Sequence, residues 1–205
     1  MQTNIPIFRM VHIDNIPHII KYGITHKNSI NSNPNYRAIG ALDIISRRAT
    51  KVCPRGHTLD DYIPFYFWYR SPMLYAIQNQ YGNTAPTPTE DIIYIIVRLP
   101  QIIGSTLSYL FTDAHAISPF SRFYDASDIN NIEEKLNWKA IKNPSWGGEE
   151  NSFLRLKKQA EFLVYGDIPY HLIAGFVVYN QKSKERLTNF GVAEAQIAVR
   201  PHYYF

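Results

Sequence analysis

The run Tyr62-Ile-Pro-Phe-Tyr-Phe-Trp-Tyr69 places six aromatic rings in eight residues and is followed at once by a cation, Arg70. A segment that is aromatic on both faces is either buried on both sides or lines a pocket for flat rings. Polar side chains stand at unexpected places elsewhere. Arg9 and His12 interrupt an apolar alternation near the N-terminus, and Arg47 and Arg48 close a short helical pattern. His115 sits in Phe-Thr-Asp-Ala-His, and Glu161 opens Glu-Phe-Leu-Val-Tyr. Taken singly, each has a plain account as a solvated arginine, a satisfied histidine or an edge-strand carboxylate. Aromatic rings interleaved with arginine and lysine also suit stacking and phosphate contact along a single nucleic-acid strand. Several other chemistries lack their signatures. The chain has no GxGxxG, GxxxxGK[ST], HExxH or GxSxG pattern, and one cysteine, Cys53, beside His57 is not a metal ligand set.

These residues must be positioned by strands and helices of both periods. Ile5 to His12 alternates as a first strand. Asp14 is placed to cap a helix from Ile16 to Tyr22, with Gly23 as its C-terminal glycine. Residues 27–41, rich in Asn and Ser, form a loop long enough to suggest function. A short helix spans 43–50. The aromatic strand runs to Tyr69, and Ser71-Pro72 opens a helix with Met73, Leu74 and Ile77 on one stripe. Asp91 to Leu99 is the clearest buried strand, followed by a strand at 107–112, a helix at 125–136 capped by Ser127 or Asp128, and a loop at 143–151. Strands at 160–165 and 174–179, a helix at 183–195 and a strand at 197–204 complete the chain. Strands and helices do not alternate as βαβ units, which favours an α+β fold. No repeat or linker divides residues 1–205, so one domain is expected.

The 205 residues carry a net charge of +4, with 45% hydrophobic and 19% charged side chains. That composition is globular and permits an anionic partner without requiring one. A lone cysteine allows no internal disulfide and fits a reducing compartment. The N-terminal stretch is broken by Arg9, His12 and Asp14, and the longest uncharged run, Ser71 to Thr89, is rich in Gln, Asn and Thr. Neither a signal peptide nor a membrane span is expected, and the chain reads as cytoplasmic.

In order along the chain, several blocks resemble the DarT family, the toxins of DarT–DarG toxin–antitoxin pairs. They are Val11-His-Ile-Asp-Asn-Ile16 with Gly23, Ile44-Ile-Ser-Arg-Arg48, Asp61-Tyr-Ile-Pro-Phe-Tyr-Phe67 with Arg70-Ser-Pro-Met-Leu-Tyr75, Phe111-Thr-Asp-Ala-His115, and Lys157-Lys-Gln-Ala-Glu-Phe-Leu163. The resemblance covers essentially the whole chain. It implies an ADP-ribosyltransferase-like fold, two small packed antiparallel sheets with flanking helices around an NAD cleft. The implied reaction transfers ADP-ribose from NAD to a base of single-stranded DNA, with thymine as acceptor and guanine as the alternative. Outside that reading stand a transferase acting on RNA or protein, and an inactive binding module. Glu161 matches the catalytic glutamate and Arg48 the essential arginine. Arg9, His12, Gly23, Tyr66 and Met73 fall at cofactor positions; His115, Arg155 and Arg47 fall at the acceptor side. Lys157 and Lys158 are placed to favour an ionised Glu161 or to meet phosphate. Relatives carry a histidine where Arg9 stands, so the contacts there must differ, since an arginine has no acceptor and stays charged. The implied cofactor is NAD as co-substrate without a metal. The implied partners are single-stranded DNA and a DarG-type macrodomain antitoxin, with the transferase itself a monomer.

Overall fold

The computed structural model describes residues 4–205. Its elements are β1 (Pro6–His12), α1 (Ile16–Tyr22), α2 (Leu42–Thr50), β2 (Tyr62–Tyr66), α3 (Pro72–Gln78), β3 (Ile92–Arg98), α4 (Leu99–Ile103), β4 (Tyr109–Thr112) and β5 (Phe123–Tyr124). They continue with α5 (Ile132–Lys135), α6 (Trp138–Lys142), α7 (Ser152–Lys158), β6 (Glu161–Tyr165), β7 (Ile173–Val178), α8 (Gln181–Asn189) and β8 (Ile197–Val199). The fold is α+β, as the lack of βαβ alternation implies. Instead of two sheets, however, the strands form one eight-stranded sheet in the order β5-β4-β6-β2-β1-β3-β7-β8.

The reason for this difference lies at the centre of the sheet. β1 pairs with β3 along its full length, from Pro6↔Arg98 to His12↔Ile92, and β2 pairs with β6 from Tyr62↔Tyr165 to Tyr66↔Glu161. Between β1 and β2 the register holds a single pair, Phe8↔Tyr66. Two half-sheets, antiparallel except for the parallel β7–β8 pair at one edge, are therefore joined at one point. Pro64 accounts for the parting. It has no N–H to continue the ladder, and its carbonyl accepts from Arg9 Nη1 of β1 at 3.1 Å.

Alternation then sorts the side chains. One face of the whole sheet, with Ile7, Val11, Ile63, Phe65, Ile95, Phe162 and Val164, packs into one large core. The opposite face is divided. Phe8, Met10 and Tyr94 pack with Leu74 and Ile77 of α3 and with Tyr204, whereas Tyr62, Leu110 and Leu163 pack with Leu59 and Cys53. A cleft of about 640 Å³, lined by residues such as Met10, Tyr66, Met73, Arg48 and Glu161, opens between these two clusters.

Local signals explain most boundaries. The Ser71 hydroxyl accepts from Leu74 N at 3.2 Å and starts α3. β2 stops at Tyr66 rather than reaching Tyr69, because its partner strand begins at Glu161. Beyond it, Phe67 turns into the large core, and Tyr69 stacks on Tyr203 with ring centroids 3.8 Å apart. The 125–136 segment is a 3-10 turn followed by α5, capped by Asp125 rather than Ser127 or Asp128. α6, of five residues, is too short to leave a periodic stripe, and α7 is a further helix after the 143–151 loop that the sequence reading does not place. α8 is capped by Asn180 and ends before Gly191, whose φ of +100° suits glycine. β8 is cut short by Pro201. Asp14 does not cap α1: the His12 ring instead accepts from Asp14 N.

Candidate active site

Glu161 is the first residue of β6 and is only 1% exposed. Tyr66 and Leu163 put it on the divided face, where the gap between the two apolar clusters leaves room for a polar head. Each carboxylate oxygen has a donor: Ala116 N at 2.9 Å on Oε1 and Arg48 Nη1 at 2.8 Å on Oε2. Its own N–H donates to Thr112 Oγ1 at 3.1 Å, and that hydroxyl donates to Ala114 O at 2.7 Å. Thr112 thus ties the start of β6 to the 113–122 loop, which in turn brings His115 and the Ala116 amide to the carboxylate. Asp113 closes the loop by accepting from Arg122 N at 2.9 Å and from Lys157 Nζ at 2.6 Å.

Burial pushes the Glu161 carboxyl up. Arg48, His115 and the Ala116 amide outweigh it, and the group is held below the usual glutamate range. His115 Nε2 lies 3.8 Å from Glu161 Oε1. Burial lowers the His115 pKa against the attraction of Glu161, with Arg48 and Arg47 adding to the fall. At neutral pH the site therefore holds an ionised carboxylate, a fixed guanidinium and a neutral imidazole.

The other wall comes from β1, α3 and the long loop. Tyr66 donates its hydroxyl to Met73 Sδ at 3.5 Å, and burial raises its pKa well above the usual tyrosine value. Gly40 borders Met73, and a Cβ there would sit 3.4 Å from the Met73 methyl carbon, an ordinary contact. Arg9 Nη2 reaches Tyr36 OH at 3.4 Å, while the buried Arg9 Nε has no partner among the described residues. Residues 25–27 and much of 32–41 line the cleft. The loop expected to be functional is its side wall.

Several sequence-selected residues lie outside the lining. His12 is 1% exposed, with Nδ1 accepting from Asp14 N at 3.1 Å and Nε2, without a hydrogen-bond partner among the described residues, 4.0 Å from Asp91. Gly23, at φ +79°, ends α1; a Cβ there would meet Ile168 O at 2.2 Å, so only glycine lets Ile24 pair with Ile168 and carry Thr25 and His26 to the cleft. Arg47 is exposed on α2, and Arg155 is half-buried on α7. Lys157 and Lys158 do not face Glu161: Lys157 pairs with Asp113, and Lys158 Nζ donates to Ile141 O at 2.8 Å and Asn143 O at 2.9 Å, closing the end of α6. The backbone amide of Ala116, Thr112 and Tyr36 escaped sequence reading. A backbone donor has no side-chain signature, and only their nearness to His115 and to the 27–41 loop could have pointed to them. No cluster of three or more His, Cys, Asp or Glu suited to a metal occurs among the described residues, and burial raises the Cys53 thiol to about 11. No helix among them is long and apolar enough to cross a membrane.

The family described as ssDNA thymidine ADP-ribosyltransferase, DarT, matches residues 8–205, and the chain belongs to it. A DNA ADP-ribosyl transferase of Thermus sp. (strain 2.9) is 35% identical over 212 residues, covering 98% of this chain and 96% of the relative. The structure of Thermus sp. 2.9 DarT in complex with ADP-ribosylated ssDNA superposes with a TM-score of 0.85 at 30% identity, covering 100% of both chains. Its complex with NAD+ gives 0.81 at 30% identity, covering 98% of both. A DNA ADP-ribosyl transferase–DNA ADP-ribosyl glycohydrolase fusion protein of Thermosipho africanus is 27% identical over 159 residues, covering 77% of this chain and 38% of that protein.

Proposed function

We infer that this protein transfers ADP-ribose from NAD to a thymine base of single-stranded DNA and releases nicotinamide. The observation that carries the reading is the buried, ionised Glu161 held by Arg48 and the Ala116 amide at the floor of an open cleft. The cleft suits the cofactor. Arg9 offers an unpaired buried N–H and Arg48 a fixed cation for the diphosphate, while Tyr66 and Met73 form an apolar slot for a flat ring. NAD supplies a ribose whose bond to nicotinamide breaks with positive charge developing on the sugar.

Glu161 holds the sugar hydroxyls and stabilises that charge, and its lowered pKa keeps it ionised for the purpose. The acceptor nitrogen, thymine N3, must lose its proton. Arg48 stays charged and favours the resulting anion. His115, kept neutral by burial, borders the base with a ring nitrogen able to take part. His12 and Gly23 act on the cofactor indirectly, through the strand and turn that shape its wall. Arg47 and Arg155 meet the DNA strand from α2 and α7.

The same reading makes the chain, as one domain, the toxin of a pair acting as a cytoplasmic monomer against a DarG-type macrodomain antitoxin. The Thermosipho fusion, which joins transferase and glycohydrolase in one polypeptide, supports that pairing. Mass spectrometry of nucleosides digested from treated mixed-sequence single strands tests the reaction. ADP-ribosylated thymidine is expected; an adduct on deoxyguanosine alone overturns the acceptor, and modification confined to RNA or protein overturns the substrate class.

A further inference from the structure

Asn15 is 1% exposed, yet its side chain serves no helix cap. Its amide makes a reciprocal pair with the backbone of Arg37: Nδ2 donates to Arg37 O at 2.8 Å, and Arg37 N donates to Oδ1 at 2.9 Å. One side chain thus imitates a strand pairing for a stretch that belongs to no strand. Directly before Arg37 lies Tyr36, which meets Arg9; directly after it come Ala38, Ile39 and Gly40, which line the cleft. Ile39 alone of these is buried in the core. The remaining tie at this point, Arg37 Nη1 to Asp14 Oδ2 at 2.9 Å, joins two exposed side chains and contributes little.

We propose that Asn15 is the positioning residue of the cofactor wall: its paired hydrogen bonds fix the 36–40 segment in the conformation that binds NAD. The inference rests on NAD occupying the cleft. Only the fraction of molecules with the wall in place is competent, so loosening it weakens apparent affinity by that fraction and leaves the chemical step alone. Because Arg37 is exposed, its freed backbone groups are taken up by water, and the fold survives the loss.

Asn15→Ala should raise KM for NAD roughly tenfold or more, the scale of two lost hydrogen bonds, with kcat within about threefold of wild type. Hydrogen exchange should accelerate at 36–40 and not in β3. Asp14→Asn, which removes the exposed ion pairs of Asp14 with Arg37 and Arg186 but leaves the Asn15–Arg37 backbone pairing intact, should leave KM unchanged. Asn15→Asp separates positioning from bulk. Its ionised carboxylate repels the Arg37 carbonyl, whereas the protonated acid, favoured by burial at about pH 5, restores one donor and one acceptor. Its KM relative to wild type at the same pH should therefore recover on acidification. A KM for Asn15→Ala within threefold of wild type, or no recovery of Asn15→Asp in acid, overturns the proposal. Wild-type protein that gives no NAD-dependent transfer overturns the functional reading, and this inference with it.

Discussion

Replacing Glu161 by glutamine tests chemistry and stability separately. The amide is nearly isosteric and can still turn an oxygen toward the Ala116 N–H, so the 113–122 loop keeps its anchor. What disappears is the charge. A carboxylate about 4 Å from a ribose cation, at an effective dielectric constant near 20, is worth about 4 kcal/mol, or roughly a thousandfold in rate. Glu161→Gln should therefore lower kcat by about a thousandfold. The Arg48 hydrogen bond, 2.8 Å long in the native protein, becomes a contact between two donors. A charged hydrogen bond contributes about 1.5–3 kcal/mol. Arg48 is 12% exposed and opens on the cleft, so water recovers part of this and a net loss of about 1–2 kcal/mol is expected. For a chain of this size that lowers the melting temperature by about 2–8 °C. Transfer of labelled ADP-ribose to single-stranded DNA, alongside calorimetry, reads both effects. Turnover above about a tenth of wild type would refute the electrostatic role, and a melting temperature higher than wild type would refute the pairing.

Arg48→Lys should not restore transfer, because a point charge cannot replace a planar fork that reaches both Glu161 and the Leu59 carbonyl; steady-state rates comparable to wild type would contradict this, and Arg47→Ala should be far milder than Arg48→Ala. Binding to single strands should weaken as salt rises, with a shallow slope for a net charge of +4, and a fully paired duplex should be a poor substrate, since pairing hides N3; equal modification of duplex and single strand would count against it. His12 and His115 both have pKa values depressed below the usual 6.5 by burial. The unfolded chain then binds more protons, so the stability they contribute is full above about pH 6.5 and is lost as pH falls toward their folded values. Denaturant titrations across pH 5–8 should show that decline, and His12→Asn, which keeps an acceptor for the Asp14 amide, should shrink it.

How legible the molecule is in its sequence varies with the physics behind each part. Residues 91–99 declare a strand buried on both faces, and Ser71-Pro72 declares a helix start, because local pattern and final packing agree. The α+β class follows from the absence of alternation. The number of sheets does not: whether β1 and β2 pair at one point or at none depends on Pro64 and the Arg9 guanidinium, a contact across 55 residues. Glu161 and Arg48 look ordinary by composition and were singled out through family resemblance; their 2.8 Å contact joins positions 113 residues apart. Lys157 and Lys158 seemed to serve Glu161 by adjacency, but a helix end sends their side chains elsewhere. Asn15 reads as part of a helix entry, and only the fold reveals its hold on Arg37.

The lone Phe8–Tyr66 pairing also bears on how the molecule moves. A continuous ladder is stiff, because changing the angle between neighbouring strands breaks many bonds together. Here the two half-sheets share one seam, and the width between them can change at the cost of almost no backbone hydrogen bonds. Arg9 and Met10 stand on one leaf and Glu161 on the other, with Arg48 of α2 bonded to Glu161. On the other face the continuous core already ties the two leaves together, so a molecule spanning both adds its contacts on the one face where the sheet is divided.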